Sequence, residues 1–163
     1  MRIRLAEDAD LKVVADVTEA AYAEFTRGPD DPYIAHLRDT ASRAAEAELW
    51  VGVDEDGVIL GTVTRCPTGS PWREVSEPGE GEFRMLAVAP EARGRGVGEA
   101  LTRHVLDLCA AAGEDVVVLS SLAEMSAAHR VYGRLGFRRL PERDWSPNPH
   151  VDLMAFIRDG RTS

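Results

Sequence analysis

A mixed α/β domain of the α+β class is what this sequence predicts, and three observations carry that expectation. The chain has 163 residues, 44% of them hydrophobic and only 6% aromatic, which is enough for one contiguous core and too few for two full domains. Two β-rich runs are joined by Asp54-Glu55-Asp56-Gly57, and a terminal Asp-Gly between alternating segments is a strong antiparallel hairpin signal. Further on, strand, helix and strand patterns follow one another from Glu82 to Leu119 as a βαβ unit does. The expected organisation is a single domain over residues 1–163, ordered to about residue 158, with 159–163 as a tail.

The elements follow in order. Arg2 to Ala6 alternates polar and apolar as a half-buried strand does, and Glu7-Asp8-Ala9-Asp10 then offers acids suited to a helix start. From Leu11 to about Phe25, Val13, Val14, Val17, Ala20, Ala21 and Phe25 recur at spacings of three and four, until Gly28-Pro29 stops the helix. A second helix is expected from Pro32 to Ala47. The hairpin strands are Leu49–Val53 and Val58–Arg65, and a charged loop rich in Gly and Pro runs from Thr68 to Gly81. A strand is expected over Glu82–Val88 and a helix over Val97–Ala112, with Val97, Leu101, Val105 and Leu108 on one face. Val116–Leu119 reads as a covered strand, Ala123–Leu135 as a helix ended by Gly136, and Val151–Ile157 as the last strand.

The 28 acids exceed the 19 bases, for a formal charge of −9, which argues against nucleic acid as a partner. No run reaches the ~18 apolar residues of a membrane helix, and Met1-Arg2-Ile3-Arg4 does not open like a secretion signal, so the expectation is a cytoplasmic protein with no membrane partner. The acids are unevenly placed. Residues 1–82 hold 18 acids and 8 bases, and residues 83–163 hold 10 and 11, giving −10 and +1. An anionic ligand therefore belongs to the C-terminal half and a cationic one to the N-terminal half, unless the acids are only a solvated face. Cys66 and Cys109 have no ligand spacing and His36, His104, His129 and His150 form no pair, so no metal is expected.

The segment Val88-Ala89-Pro90-Glu91-Ala92-Arg93-Gly94-Arg95-Gly96-Val97-Gly98-Glu99-Ala100 lies between an expected strand and an expected helix. Free amides at a helix N-terminus, its positive dipole end and side-chain-free glycines together make a phosphate site, with Arg93 and Arg95 adding charge; a tight strand-to-helix turn is the alternative. A P-loop is excluded because it needs Gly-Lys, and Lys12 is the only lysine. A dinucleotide-binding fingerprint would follow the first strand of its sheet, whereas this turn follows at least four.

This segment resembles motif A of the GNAT superfamily of N-acetyltransferases: Arg or Gln, two residues, Gly, one residue, then Gly or Ala. Arg93, Gly96 and Gly98 stand at those places. Ala128-His129-Arg130-Val131-Tyr132-Gly133-Arg134-Leu135-Gly136-Phe137 is similar to the family's motif B, and the resemblance extends over essentially the whole chain. It implies a GNAT fold, a central, mostly antiparallel mixed sheet of six to seven strands with about four helices. It implies acetyl-CoA as co-substrate, with the pantetheine arm along Leu86, Ala87 and Val88 and the pyrophosphate over Gly94, Arg95, Gly96, Val97, Gly98 and Glu99 beside Arg93. Many members carry Asn where this chain has Met125, so a polar contact to the arm is absent there unless Ser121 or Ser126 replaces it.

Acetyl transfer to an amine needs a base, oxyanion donors and an acid for the departing thiolate. The resemblance puts Tyr132 at the acid position; a core tyrosine is the alternative. Glu82 stands six residues before Val88, the offset of a catalytic glutamate in the superfamily's histone acetyltransferases, and either it or ordered water is the base. Two-residue periodicity places Glu82, Arg84, Leu86 and Val88 on one strand face. The N-terminal helices and the Cys66–Gly81 loop occupy the places that shape the acceptor pocket in the family. Asp30, Asp31, Glu74, Glu77 and Glu80 are its candidate acids and Trp72, Tyr33, Trp145 and Tyr22 its candidate aromatics. The acceptor expected is a small cationic amine or a peptide amine, and the chain a monomer or homodimer. A non-catalytic acyl-CoA sensor, or a transferase using a different acyl donor, is the competing reading.

Overall fold

The computed structural model describes residues 1–160. One sheet of eight strands runs through it: β1 (Arg2–Leu5), β2 (Glu48–Val53), β3 (Ile59–Cys66), β4 (Gly81–Val88), β5 (Val116–Leu122), β6 (Arg138–Arg139), β7 (Trp145–Asn148) and β8 (Val151–Asp159). Their order across the sheet is β1-β2-β3-β4-β5-β8-β6, and β7 also pairs β8. Every pairing is antiparallel except β4 with β5. Five α-helices accompany it among the described residues: α1 (Leu11–Tyr22), α2 (Tyr33–Leu37), α3 (Thr40–Glu46), α4 (Val97–Ala111) and α5 (Ser126–Arg134). None of them is long and apolar enough to cross a membrane.

The α+β reading holds, with local corrections. The second expected helix is two short ones, because Asp39 leaves helical geometry (φ −79°, ψ 63°) and its carboxylate accepts from the Ser42 amide (3.3 Å), restarting the helix. β5 runs on to Leu122, and a turn delays α5 to Ser126, because Ser120, Ser121 and Leu122 each find a β8 partner in Ala155, Met154 and Leu153. β6 and β7 were not expected, being a two-residue strand and a proline-containing one, and both exist only as partners of β8. The last strand reaches Asp159, and the Gly160 amide donates to Asp115 O (2.8 Å); of the expected tail, residues 161–163 lie outside the described residues.

The helices cover both faces. α4 buries Val97, Leu101, Val105 and Cys109, so its apolar stripe ends on Cys109 where periodicity named Leu108. Those side chains pack with Leu60, Phe83, Leu86, Leu119, Tyr132, Phe137 and Phe156 in the main core. α1 is centred on Val14, Thr18, Ala21 and Tyr22, with Val13 turned to solvent. Its C-terminal end joins Leu37, Cys66, Trp72, Met85, Ala87 and Leu153 in a second cluster. At about 1.5–3 kcal/mol per fully buried aliphatic side chain, Leu37, Val63, Leu101 and Val105, all at 0% exposure, anchor this arrangement.

The feature that makes a site is a divergence. β4 and β5 are in parallel register only at Gly81↔Val117 and Glu82↔Val118; beyond these the strands part, and among the described residues Arg84–Val88 has no paired residue on β5. A bulge lies on the same stretch. The β3 register shifts between Thr62 and Thr64, and Met85 has φ 54°, the only positive value at a described residue other than glycine. The bulge overturns the expected alternation: Phe83 and Leu86 face the main core while Met85 and Ala87 face the second cluster, so Glu82 and Arg84 do not share a face with Leu86 and Val88.

Candidate active site

Two cavities open on the parting of β4 and β5 and meet at Leu86. The larger, about 310 Å³, lies between the end of β4, the start of α4 and the face of α5. All the expected cofactor residues line it except Arg95, which is exposed. Gly96 is the N-cap of α4 at φ 77°, a left-handed conformation that strains any side-chain-bearing residue. The helical ladder opens with Ala100 N–H donating to Gly96 O (3.0 Å), leaving the Val97, Gly98 and Glu99 amides with no intrahelical acceptor at the positive end of the helix dipole. A Cβ at Gly98 would touch only Val88 Cγ2 (3.5 Å) and Leu86 Cδ2 (3.8 Å), so the residue is needed for the open groove and not for packing. Free amides, the glycine floor and the volume together fit a pyrophosphate with an extended arm.

Charges edge this groove. Arg93 reaches Glu24 at 3.5 Å, and Glu99 pairs with Arg134 (3.1 Å) and Arg103 (3.3 Å), which hold its carboxyl below the usual carboxylate range. Met125 lines the groove at the place where the resemblance implies an Asn in many family members. Ser121 does not stand in for it here: its hydroxyl is bonded to His129 Nε2 (3.1 Å), and Ser126 is exposed.

The smaller cavity, about 30 Å³, is lined by Tyr22, Tyr33, Glu74, Arg84, Ser120 and Tyr132 among others. Tyr132 is 4% exposed, within 6.1 Å of the Phe83 ring, 5.8 Å of Phe137 and 5.9 Å of Phe156, and burial pushes its phenol well above the usual range, so it stays protonated. Tyr22 donates to Leu86 O (3.3 Å), fixing the strand where the two cavities join.

The expected base is placed elsewhere. Glu82 is fully buried and its carboxylate accepts from the backbone amides of Glu74 (3.0 Å), Val75 (3.3 Å) and Ser76 (3.0 Å); it does not line the smaller cavity. It holds the 67–80 loop, together with Arg73, which donates to Cys66 O and Pro67 O (both 3.1 Å) and Glu80 O (2.8 Å) and pairs with Glu114 (2.9 Å). The loop so held carries Glu74 inward. Glu74 Oε1 accepts from Ser120 Oγ (3.2 Å) and Oε2 stands 3.2 Å from Arg84 Nη2. Burial holds its carboxyl above the usual carboxylate range against the opposing pull of Arg84. Sequence reasoning had counted Glu74 among five acceptor acids and had no means to single it out, since its neighbours come from β4 and β5.

The other four acids are engaged or outside. Glu77 and Glu80 pair with Arg143 (3.1 and 2.6 Å), Asp31 accepts from the Arg27 and Tyr33 amides (2.9 and 3.0 Å), and Asp30 is exposed. None of the four lines the cavity.

The sequence pattern of the "Acetyltransferase (GNAT) family" matches residues 14–137. A mycothiol acetyltransferase of Beutenbergia cavernae is 36% identical over 103 residues, 58% of this chain and 32% of that protein. The human N-acetylaspartate synthetase is 34% identical over 110 residues, 68% of this chain and 34% of that protein. The chain thus spans about a third of the length of these relatives. Among solved structures, an acetyltransferase of the GNAT family from Staphylococcus aureus Mu50 superposes with TM-score 0.75 at 15% identity over 98% of both chains. The structure of yncA from Salmonella typhimurium, with its cofactor acetyl-CoA, gives 0.67 at 22% identity over 98% of this chain and 94% of that one. The fold is theirs, and with three quarters of its length matched by the family pattern, this chain belongs to the GNAT acetyltransferase family.

Proposed function

We propose that this chain is an acetyl-CoA-dependent N-acetyltransferase acting on a primary amine. The observation that carries the reading is the meeting of the two cavities at Leu86: a groove whose free amides suit a pyrophosphate opens onto a pocket lined by one carboxylate, Glu74, and three tyrosines, Tyr132 among them. The acetyl-CoA in the yncA structure and the acetyl transfer in the name of the Beutenbergia relative support the same reading.

When bound, acetyl-CoA supplies an acetyl group activated as a thioester. The α4 amides and Arg93 would hold its phosphates, and the backbone edge from Leu86 to Val88, which has no partner on β5, would hold the arm and supply N–H donors to the carbonyl oxygen. Glu74 takes the first proton from the acceptor ammonium and passes it to solvent. The amine nitrogen forms the new N–C bond as the C–S bond breaks, and Tyr132 gives a proton to the departing sulfur. The second proton shed by nitrogen restores the phenol. Glu74 takes the base role in place of Glu82, whose oxygens are filled by three amides.

Release of free thiol from acetyl-CoA, measured with and without amines in the wild type and Tyr132→Phe, tests the reading. Amine-dependent release that falls in the variant is the expected result. A chain that only holds coenzyme A, as a sensor or accessory module does, releases no thiol with any amine.

A further inference from the structure

The acceptor pocket carries a guanidinium, Arg84, beside the one carboxylate that lines it, Glu74. Arg84 lines the cavity with its side chain 11% exposed, and every polar contact it makes is long: 3.2 Å to Glu74 Oε2, 3.4 Å to Trp72 O and 3.4 Å to His36 Nε2. Its guanidinium lies 5.3 Å from the Trp72 ring centroid, a contact that uses none of its donors.

The surrounding charges do not favour a cation. Arg43 stands 6.0 Å from the same Trp72 ring; it is fully buried, donates only through Nη1 to His36 O and Leu37 O, and has no partner for Nε or Nη2. His36 stacks on Trp72 at 5.2 Å, and burial, then Arg84 and Arg43, hold its imidazole below the usual histidine value. The negative groups nearby are Glu74, bound to Arg84, Glu82, which accepts from three amides, and, outside the cavity, Asp31 and Asp39, which accept from the Tyr33 and Ser42 amides. A polyamine entering the cavity would find one engaged carboxylate and one guanidinium, with the second, Arg43, buried behind Trp72.

Resting on the acetyltransferase reading above, we propose that the acceptor is an amino acid or a similarly compact molecule carrying a carboxylate beside its amine, with Arg84 the residue that selects for the carboxylate. The substrate carboxylate replaces Glu74 as the partner of Arg84, in the bidentate geometry a guanidinium offers. The exchange frees Glu74 Oε2 beside the ammonium, so the group that recognises the acceptor also releases the base. The cavity holds only two or three waters' worth of space at ~10–15 Å³ each, which suits an incoming headgroup that displaces an existing partner. Selection against amines that lack a carboxylate follows, because for them Glu74 stays bound to Arg84.

The test is an acceptor panel with the wild-type protein at fixed acetyl-CoA: amino acids, each beside its amide and its decarboxylated amine, plus polyamines. The expected result is a kcat/KM at least tenfold higher for the carboxylate-bearing member of a pair. In Arg84→Gln and Arg84→Lys, KM for that member rises about 30-fold or more and its advantage over the matched amide falls below about threefold, with acetyl-CoA binding as the check that each variant is folded. If Arg84→Gln does not fold, Arg84→Lys and the wild-type panel decide. Equal rates across each pair, or faster turnover of polyamines, overturn the selection by Arg84 and leave the acetyltransferase reading standing. Acetyl-CoA binding without turnover of any amine overturns that reading, and this inference with it.

Discussion

Glu74 Oε2 lies 3.2 Å from Arg84 Nη2, across the gap where β4 and β5 part. The pair is mostly buried, at 16% and 11% side-chain exposure, and Ser120 bonds the other carboxylate oxygen. A carboxylate held this way is oriented and partly desolvated, and its strongest partner belongs to a different element, so its charge depends on the closure of the 67–80 loop.

Replacing that carboxylate should be costly to the chemistry. Glu74→Gln keeps the shape and loses the base, so kcat should fall by about 10²- to 10⁴-fold. Burial raises the Glu74 pKa above the usual carboxylate range, and a base works only when deprotonated. The wild-type rate should therefore decline as pH falls, starting at a higher pH than for an exposed glutamate, and Glu74→Gln should lose this acidic limb. A pH profile of kcat/KM for both proteins checks it; an unchanged limb in the variant excludes Glu74 as the base.

Tyr132→Phe removes one hydroxyl from an otherwise aromatic cluster of Phe83, Phe137 and Phe156. Thermal stability should stay within about 1 kcal/mol, since the removed group is buried among apolar rings. kcat should drop by about 100-fold or more while KM for acetyl-CoA holds. Equal losses in stability and activity would point to a packing tyrosine instead.

The glycines of the α4 start should separate cleanly. Gly98→Leu has ordinary contacts at its Cβ and projects into the groove, so Tm should change little while acetyl-CoA affinity falls at least tenfold. Gly96→Ala meets nothing within 4 Å, yet its φ of 77° imposes strain of about 1–2 kcal/mol, so this variant should lose stability. Calorimetric binding and thermal melts on the two variants distinguish space from strain.

Glu82→Ala should loosen the loop and not abolish the chemistry outright. It deprives three amides of a charged acceptor in a fully buried place, a loss of about 2–4 kcal/mol. Tm should fall by about 5–15 °C, at roughly 2–4 °C per kcal/mol for a chain of this size. Hydrogen exchange should accelerate first at Glu74, Val75 and Ser76. Slow exchange there, with activity lost in a stable variant, would return the base role to Glu82.

Much of this protein was legible in the sequence because the governing signals are local. Asp56-Gly57 specified the hairpin, the spacing from Val97 to Val105 specified the α4 stripe, and Arg93, Gly96 and Gly98 specified the groove, since a helix start and its glycines are neighbours in the chain. Those calculations need only periods of 2 and 3.6 and the geometry of a single turn. The acceptor side was not legible. A bulge at Met85, with nothing in its side chain to announce it, rotated half of β4 against the other half and broke the alternation that linked Glu82 and Arg84 to Leu86. The −10 of residues 1–82 is a sum and not a map of the pocket, because Arg143, drawn from far along the chain, pairs with Glu77 and Glu80, and Arg84 claims Glu74. What the sequence by itself determined was the class of fold and the glycine-floored groove at the start of α4. Which carboxylate is filled by amides and which lines the smaller cavity was decided only when the 67–80 loop packed onto β4 and β5, since the pairing of charges depends on distances that no spacing along the chain encodes.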